Sequence, residues 1–165
     1  TLAAAQYSCF IHFFCSNVLY TTMTVGPSMI PTLNPSGDIV LHTALTPYNQ
    51  LKRGDVVICV SPTNPANRIC KRIVGLAGDV VKNQPGSMAL GFPVEVPSGH
   101  MWLQGDNRAD SQDSRTYGPV PLGLVKGKVL CRIFPFTKAG YLENADFSDV
   151  LISKCSELAV GESEP

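Results

Sequence analysis

Apolar positions are spread unevenly along this chain. Residues 2–20, LAAAQYSCFIHFFCSNVLY, form a nearly continuous apolar run, and the first charged side chain is Asp38. The run approaches the ~20 residues that cross a bilayer as a helix. Gln6, Ser8, His12, Ser16 and Asn17 interrupt it. A transmembrane anchor, a cleavable signal and a buried helix all fit such a stretch. A cleavable signal carries a basic leading region, and none precedes the run here. The sequence begins on Thr1 rather than Met, so upstream residues would be free to add charge and length. The anchor is the preferred reading, assigned to residues 1–22.

Beyond residue 35 the pattern changes to short apolar stretches separated by turn residues, the signature of strands. Strands are expected at 38–45 (DIVLHTAL), 54–61 (GDVVICVS), 68–74 (RICKRIV), 79–82, 100–104 (HMWLQ) and 126–133 (KGKVLCRI). Residues 61–67, with two prolines and two asparagines, and 84–99, with three prolines and three glycines, read as loops. Residues 23–140 are assigned to one β-rich domain. Residues 141–165, with six acidic residues against one lysine, are assigned to a partly disordered tail.

Composition supports this division. The 165 residues include 14 glycines and 13 prolines, which favour a turn-rich β fold over a helical bundle. Lys+Arg and Asp+Glu balance at 13 each, without the basic excess of a nucleic-acid binder. Six cysteines form no C-x-x-C pair, so a zinc ribbon or thioredoxin-like site is not indicated. They are read as buried free thiols.

Three segments carry chemistry. Ser28 lies in GPSMIPTL (26–33), where Pro27 and Pro31 restrict the backbone on either side. That pattern fits a held nucleophile, and equally a plain turn. Lys71 lies in the strand 68–74. Alternation puts it on the face of Ile69 and Ile73, and puts Arg72 on the other face with Cys70 and Val74. Burial against isoleucines lowers an amine's pKa and lets it accept a proton. A lysine snorkelling from a half-buried strand has the same local sequence. The third segment, GDNRADSQDSRTYG (105–118), is dense in Asp, Ser and Arg. Asp106, Asp110 and Asp113 are oxygen donors, but no calcium-loop pattern is present, and Arg108 and Arg115 oppose a cation. Arg–carboxylate pairs supporting a nearby site fit better; a solvated loop stays open. No G-x-S-x-G elbow occurs, and His12, His42 and His100 form no evident triad.

Together, GPSMIPTL, GDIVL (37–41), KRIVGLAGD (71–79) and GDNRADSQDSR (105–115) resemble, in order, the motifs of the signal peptidase I family. The resemblance implies a mainly β, antiparallel signal-peptidase-like domain behind an N-terminal transmembrane helix. It implies a Ser–Lys dyad with Ser28 as nucleophile, Lys71 as general base and Ser111 orienting the lysine. Arg72, Asp106, Asp113 and Arg115 would support the site, with Arg72 paired to Asp106. No metal or organic cofactor is implied. One departure is Gly26, where many bacterial members carry a hydroxyl residue that helps bind the oxyanion. GHMWLQGDN (99–107) and YGPVPLGLVKGKV (117–129) look most like one of two sibling subunits of the mitochondrial inner-membrane members. That likeness implies cleavage of sorting signals from precursor proteins, an inner-membrane anchor in the lipid bilayer, a catalytic domain in the intermembrane space and a heterodimer with the sibling subunit. Segments 25–30 and 44–52 are expected to wall the substrate pocket. A bacterial or chloroplast member, a LexA-like self-cleaving protein and a non-catalytic membrane scaffold are the competing readings. The apolar segment upstream of Ser28 argues against a LexA-like DNA-binding module, and the presence of Ser28 and Lys71 against a scaffold.

Overall fold

The structure, a computed structural model, describes residues 3, 6–9, 18–82, 93–143, 145, 147 and 150–154. Among them are ten strands: β1 (Leu19–Val25), β2 (Ser36–Thr43), β3 (Val56–Val60), β4 (Arg68–Leu76), β5 (Asp79–Val81), β6 (Val94–Glu95), β7 (His100–Gln104), β8 (Val120–Pro121), β9 (Val125–Phe134) and β10 (Leu151–Lys154). They form a seven-stranded sheet in the order β1-β2-β9-β3-β4-β7-β8 and a three-stranded sheet in the order β10-β5-β6. Every strand pairing is antiparallel, as expected for chain segments joined by turns.

The strands read from the apolar pattern fall on β2, β3, β4, β5, β7 and β9. β1 was not expected as a strand. It takes the last residues of the stretch assigned to the anchor, because Thr21, Thr22, Thr24 and Val25 are β-branched and suit a pleated surface. Most of the rest of the 1–22 anchor lies outside the described residues. Positions 6–9 are helical and exposed. No helix among the described residues is long and apolar enough to cross a membrane.

The far end of the domain also extends past the expected boundary at residue 140. β10 pairs with β5, Leu151 opposite Val81 and Lys154 opposite Asp79. Phe147 and Val150 are buried with Val74, Val81, Val96 and Trp102. Burying those apolar groups supplies the driving force that the acidic composition of the segment conceals.

Two further apolar clusters flank the long sheet. One gathers Leu51, Val57, Cys59, Ile73, Met101, Leu103 and Val120; the other gathers Met29, Leu33, Val40, Val56, Ile58 and Val129. Lys71 and Arg72, adjacent on β4, project to opposite sides of this frame. Of the cysteines among the described residues, Cys9, Cys59, Cys70 and Cys131 are free. Only Cys59 is fully buried, so the expectation of buried thiols holds for one of these four.

Candidate active site

Ser28 stands at the centre of a single 3-10 turn, Pro27–Met29, between β1 and β2. Pro27 fits the first helical position, where its missing N–H costs nothing. Gly26 has φ 118° and ψ 151°, and its N–H donates to Pro35 O at 2.8 Å. A side chain is strained at that φ, which accounts locally for the glycine at this position. Leu33 N–H donates to Met29 O at 2.8 Å and closes the loop, while Met29 and Leu33 anchor it in the core.

The loop 105–113 clamps this turn from the other side. Asn107 N–H donates to Ser28 O at 3.0 Å, and Asn107 Nδ2 donates to Pro27 O at 3.1 Å. Gly105 lies so close that a Cβ there would collide with Ser111 Oγ and with Ser28 O. Asn107 and Gly105 are structural partners of Ser28 that sequence reasoning quoted without assigning a role. Their signal is contact across about 80 residues of chain, which no local pattern carries.

Lys71 is 4% exposed. Its Nζ donates to Ser111 Oγ at 2.9 Å, and Ser111 Oγ donates to Asp113 Oδ2 at 2.7 Å. Burial lowers the lysine pKa below its ordinary value; the Arg115 charge acts in the same direction, while Asp113, Cys70 and Asp106 act against it. Asp113 caps the helical turn Ser114–Tyr117. It also accepts from Gly105 N at 3.0 Å and from Arg115 Nε and Nη2 at 2.8 and 2.9 Å. Burial alone would raise its pKa, but the bonds from Arg115, Gly105 and Ser111 outweigh burial and hold it down. On the opposite face of β4, Arg72 donates through Nε and Nη2 to Asp106 Oδ1 and Oδ2 at 2.8 and 2.7 Å, a fork-to-fork pair. The Thr32 hydroxyl donates to the same carboxylate.

Ser28 and Lys71 line one groove. Its walls are residues 22–25 of β1, Gly26 and the turn with Met29, Leu33 and Asn34, and Ile58 with residues 68–71 of β3 and β4. The expected wall from 44–52 is misplaced: 44–48 and Leu51 line a different cavity, with residues 125–128. Along β4, pairing with β7 begins only at Arg72, and β1 is the edge of its sheet. The groove therefore runs between two strand edges with unpaired backbone groups. Among the described residues no group of three His, Cys, Asp or Glu side chains is placed to hold a metal.

An antiparallel β domain places a serine turn and a buried, hydrogen-bonded lysine on one groove. The family described as signal peptidase, peptidase S26, matches residues 1–90 and 83–134, and the chain belongs to that family. It is thus a serine endopeptidase of the signal peptidase kind.

Mitochondrial inner membrane protease subunit 1 of Mus musculus is 39% identical over 140 residues, covering 85% of this chain and 84% of the mouse protein. The Schizosaccharomyces pombe protein of the same name is 42% identical over 138 residues, covering 81% and 85%. Subunit 2 of the S. pombe protease is 39% identical over 125 residues, covering 74% and 68%.

Proposed function

We propose that the chain is a membrane-anchored endopeptidase of the mitochondrial inner membrane, with its catalytic domain in the intermembrane space. It removes sorting signals from precursor proteins and pairs with a sibling subunit. The relatives' names support the location and the pairing. The observation that carries the chemistry is the buried Lys71, hydrogen-bonded to Ser111 in the groove that Ser28 also lines.

The direction of the hydrogen bonds supports a general-base role for Lys71. The Ser111 proton is committed to Asp113, so Lys71 must donate to Ser111 and cannot accept from it. The lone pair of a neutral Lys71 then remains for the Ser28 proton. Ser28 Oγ attacks the scissile carbonyl, Lys71 takes its proton, and the protonated lysine delivers that proton to the departing amine. An ester to Ser28 remains. Neutral Lys71 next draws a proton from water, whose oxygen attacks the ester, and the protonated lysine returns that proton to Ser28 Oγ as the carboxyl product leaves. The Ser28 backbone N–H has no hydrogen-bond partner among the described residues and is the first oxyanion donor. Gly26 N–H is occupied by Pro35 O and is not the second. An extended substrate strand would pair with the open edges of β1 and β4.

Substitution tests this reading. Ser28→Ala and Lys71→Met should each abolish precursor cleavage by the detergent-solubilised enzyme while the folded domain persists by circular dichroism. Lys71→Arg should fail as well, because a guanidinium stays protonated. Full activity in any of the three would overturn the dyad. The membrane anchor is checked by carbonate extraction, in which the chain should stay in the pellet.

A further inference from the structure

Asn107 bonds to both peptide groups that flank the Ser28 Cα. Its side-chain Nδ2 donates to Pro27 O at 3.1 Å, and its backbone N–H donates to Ser28 O at 3.0 Å. A carbonyl oxygen only accepts, so the end of the Asn107 amide that faces Pro27 O is its NH2 group.

A trans peptide is planar, with its N–H directed opposite to its C=O. Pro27 O and the Ser28 N–H belong to one such plane, so a bond that fixes the first aims the second. The Pro27 ring fixes its own φ, which leaves ψ to set the plane. Two donors hold it there: Asn107 Nδ2, and the Ile30 N–H at 3.2 Å. The Ser28 N–H then points away from Asn107, and it has no partner among the described residues. A hydrogen bond accepted at a carbonyl also polarises its amide, which makes the N–H of the same plane a stronger donor. The second bond, to Ser28 O, fixes the next plane. With both planes held, the backbone of Ser28 is set, and with it the rotamers open to Oγ.

We propose that Asn107 is the positioning residue of the oxyanion site. It aims and polarises the Ser28 N–H toward the oxygen of the scissile carbonyl and holds Ser28 Oγ ready to attack. Asn107 does not line the groove; it acts through the two Ser28 peptides. Its neighbour Asp106 is forked by Arg72 of β4, beside Lys71. One strand therefore carries the base and, through Asp106 and Asn107, anchors the oxyanion donor. The inference rests on reading Ser28 as the nucleophile and its N–H as an oxyanion donor.

The test uses the enzyme solubilised from its membrane with any subunit it carries. Asn107→Leu and Asn107→Asp keep the backbone N–H and remove the Nδ2 donor, whereas Asn107→His supplies a ring N–H in its place. In the Leu and Asp variants kcat should fall roughly ten- to a hundredfold, short of the loss that follows outright removal of an oxyanion donor. KM should stay within about twofold, because the interaction is made in the transition state. Asn107→His should recover most of kcat. A peptide aldehyde bonds its carbonyl carbon to Ser28 Oγ, whose proton passes to Lys71, and so places an oxyanion at the site. Its affinity should fall by the same factor as kcat/KM, while the amino-terminal product peptide should bind as it does to the wild type. The acid limb of the pH–rate profile should not move in Asn107→Leu, since Lys71 is untouched. Unchanged kcat in Asn107→Asp, equal losses in the Asp and His variants, product peptide weakened as much as aldehyde, or a shifted acid limb each overturns the positioning role. Ser28→Ala, run alongside, separates the two readings. Residual cleavage there refutes the nucleophile itself, whereas an inactive Ser28→Ala beside a fully active Asn107→Asp refutes the role of Asn107 alone.

Discussion

Replacing Arg72 by methionine offers a demanding test of how the reactive loops are held. Arg72 and the Asp106 side chain are 1% and 2% exposed. Arg72 makes two bonds to Asp106, a third to Gly54 O at 2.7 Å and a longer one to Thr32 Oγ1. Methionine fills much of the volume but leaves the Asp106 carboxylate buried with only the Thr32 hydroxyl. Breaking one side of a buried pair costs about 3–5 kcal/mol, because the remaining charge is uncompensated. For a domain of this size the midpoint should fall by roughly 2–4 °C per kcal/mol, so by about 6–20 °C. Urea and thermal unfolding of the full-length chain in detergent, followed by circular dichroism, measure it. The double variant Arg72→Met/Asp106→Leu supplies the decisive comparison. Removing both charges removes the stranded one, so the double variant should be more stable than Arg72→Met alone. Asp106 also precedes Asn107, whose two bonds hold Pro27 and Ser28, so kcat of the single variant should fall further than its folded fraction. A loss under ~1 kcal/mol, or a double variant whose loss equals the sum of the two singles, refutes the argument.

The pH dependence follows from the lowered lysine pKa. Lys71 is neutral above its folded pKa, so kcat/KM should rise with pH through a limb below the ordinary ~10.4 of lysine and then level; a rate that is flat with pH would contradict a lysine base. Between the folded and unfolded pKa values the unfolded chain binds the extra proton. Stability should therefore rise with pH across that window, and Lys71→Met should flatten the slope and stabilise the domain at neutral pH, as read by unfolding midpoints. Arg115→Met, by freeing the Asp113 charge to act on Lys71, should move the acid limb to higher pH; an unmoved limb would count against that coupling. Gly105→Ala forces a methyl against Ser111 Oγ and Ser28 O. It should cost about 1–3 kcal/mol and lower kcat, measured by the same melts and peptide assays.

The sequence disclosed the parts of this site that are local and withheld those that depend on distant contact. Six strands could be read because each is a short apolar run between turn residues. Lys71 could be assigned to an apolar face because alternation is a property of the strand itself, and Ile73 is indeed buried beside it. β1 was hidden because its residues merge with the apolar run before them. β10 was hidden because its partner, β5, is about 70 residues away and the acidic residues around it mask the apolar ones. Asn107, Gly105 and the Thr22–His42 bond are pairings across the fold, where local sequence has no voice. His42 illustrates this: it lies in the expected strand 38–45, but the 2.9 Å approach of its Nε2 to Thr22 Oγ1 exists only once β1 lies beside β2.

The charged groups around Lys71 bear on the proposed base, which is buried near two carboxylates. Asp113 and Asp106 both raise the lysine pKa, and a lone buried carboxylate beside Lys71 would hold it protonated. Neither is lone. Asp113 is forked by Arg115 and Asp106 by Arg72. With each carboxylate neutralised by its own guanidinium, the cluster is balanced when Lys71 is uncharged and carries an excess positive charge when it is not. Burial then decides the outcome, because an unmatched charge is costly to bury. The two arginine–carboxylate pairs thus do more than fasten loops. They offset part of the field that Asp113 and Asp106 exert on the amine, and in the proposed mechanism Ser111 orients the lysine without taking its lone pair.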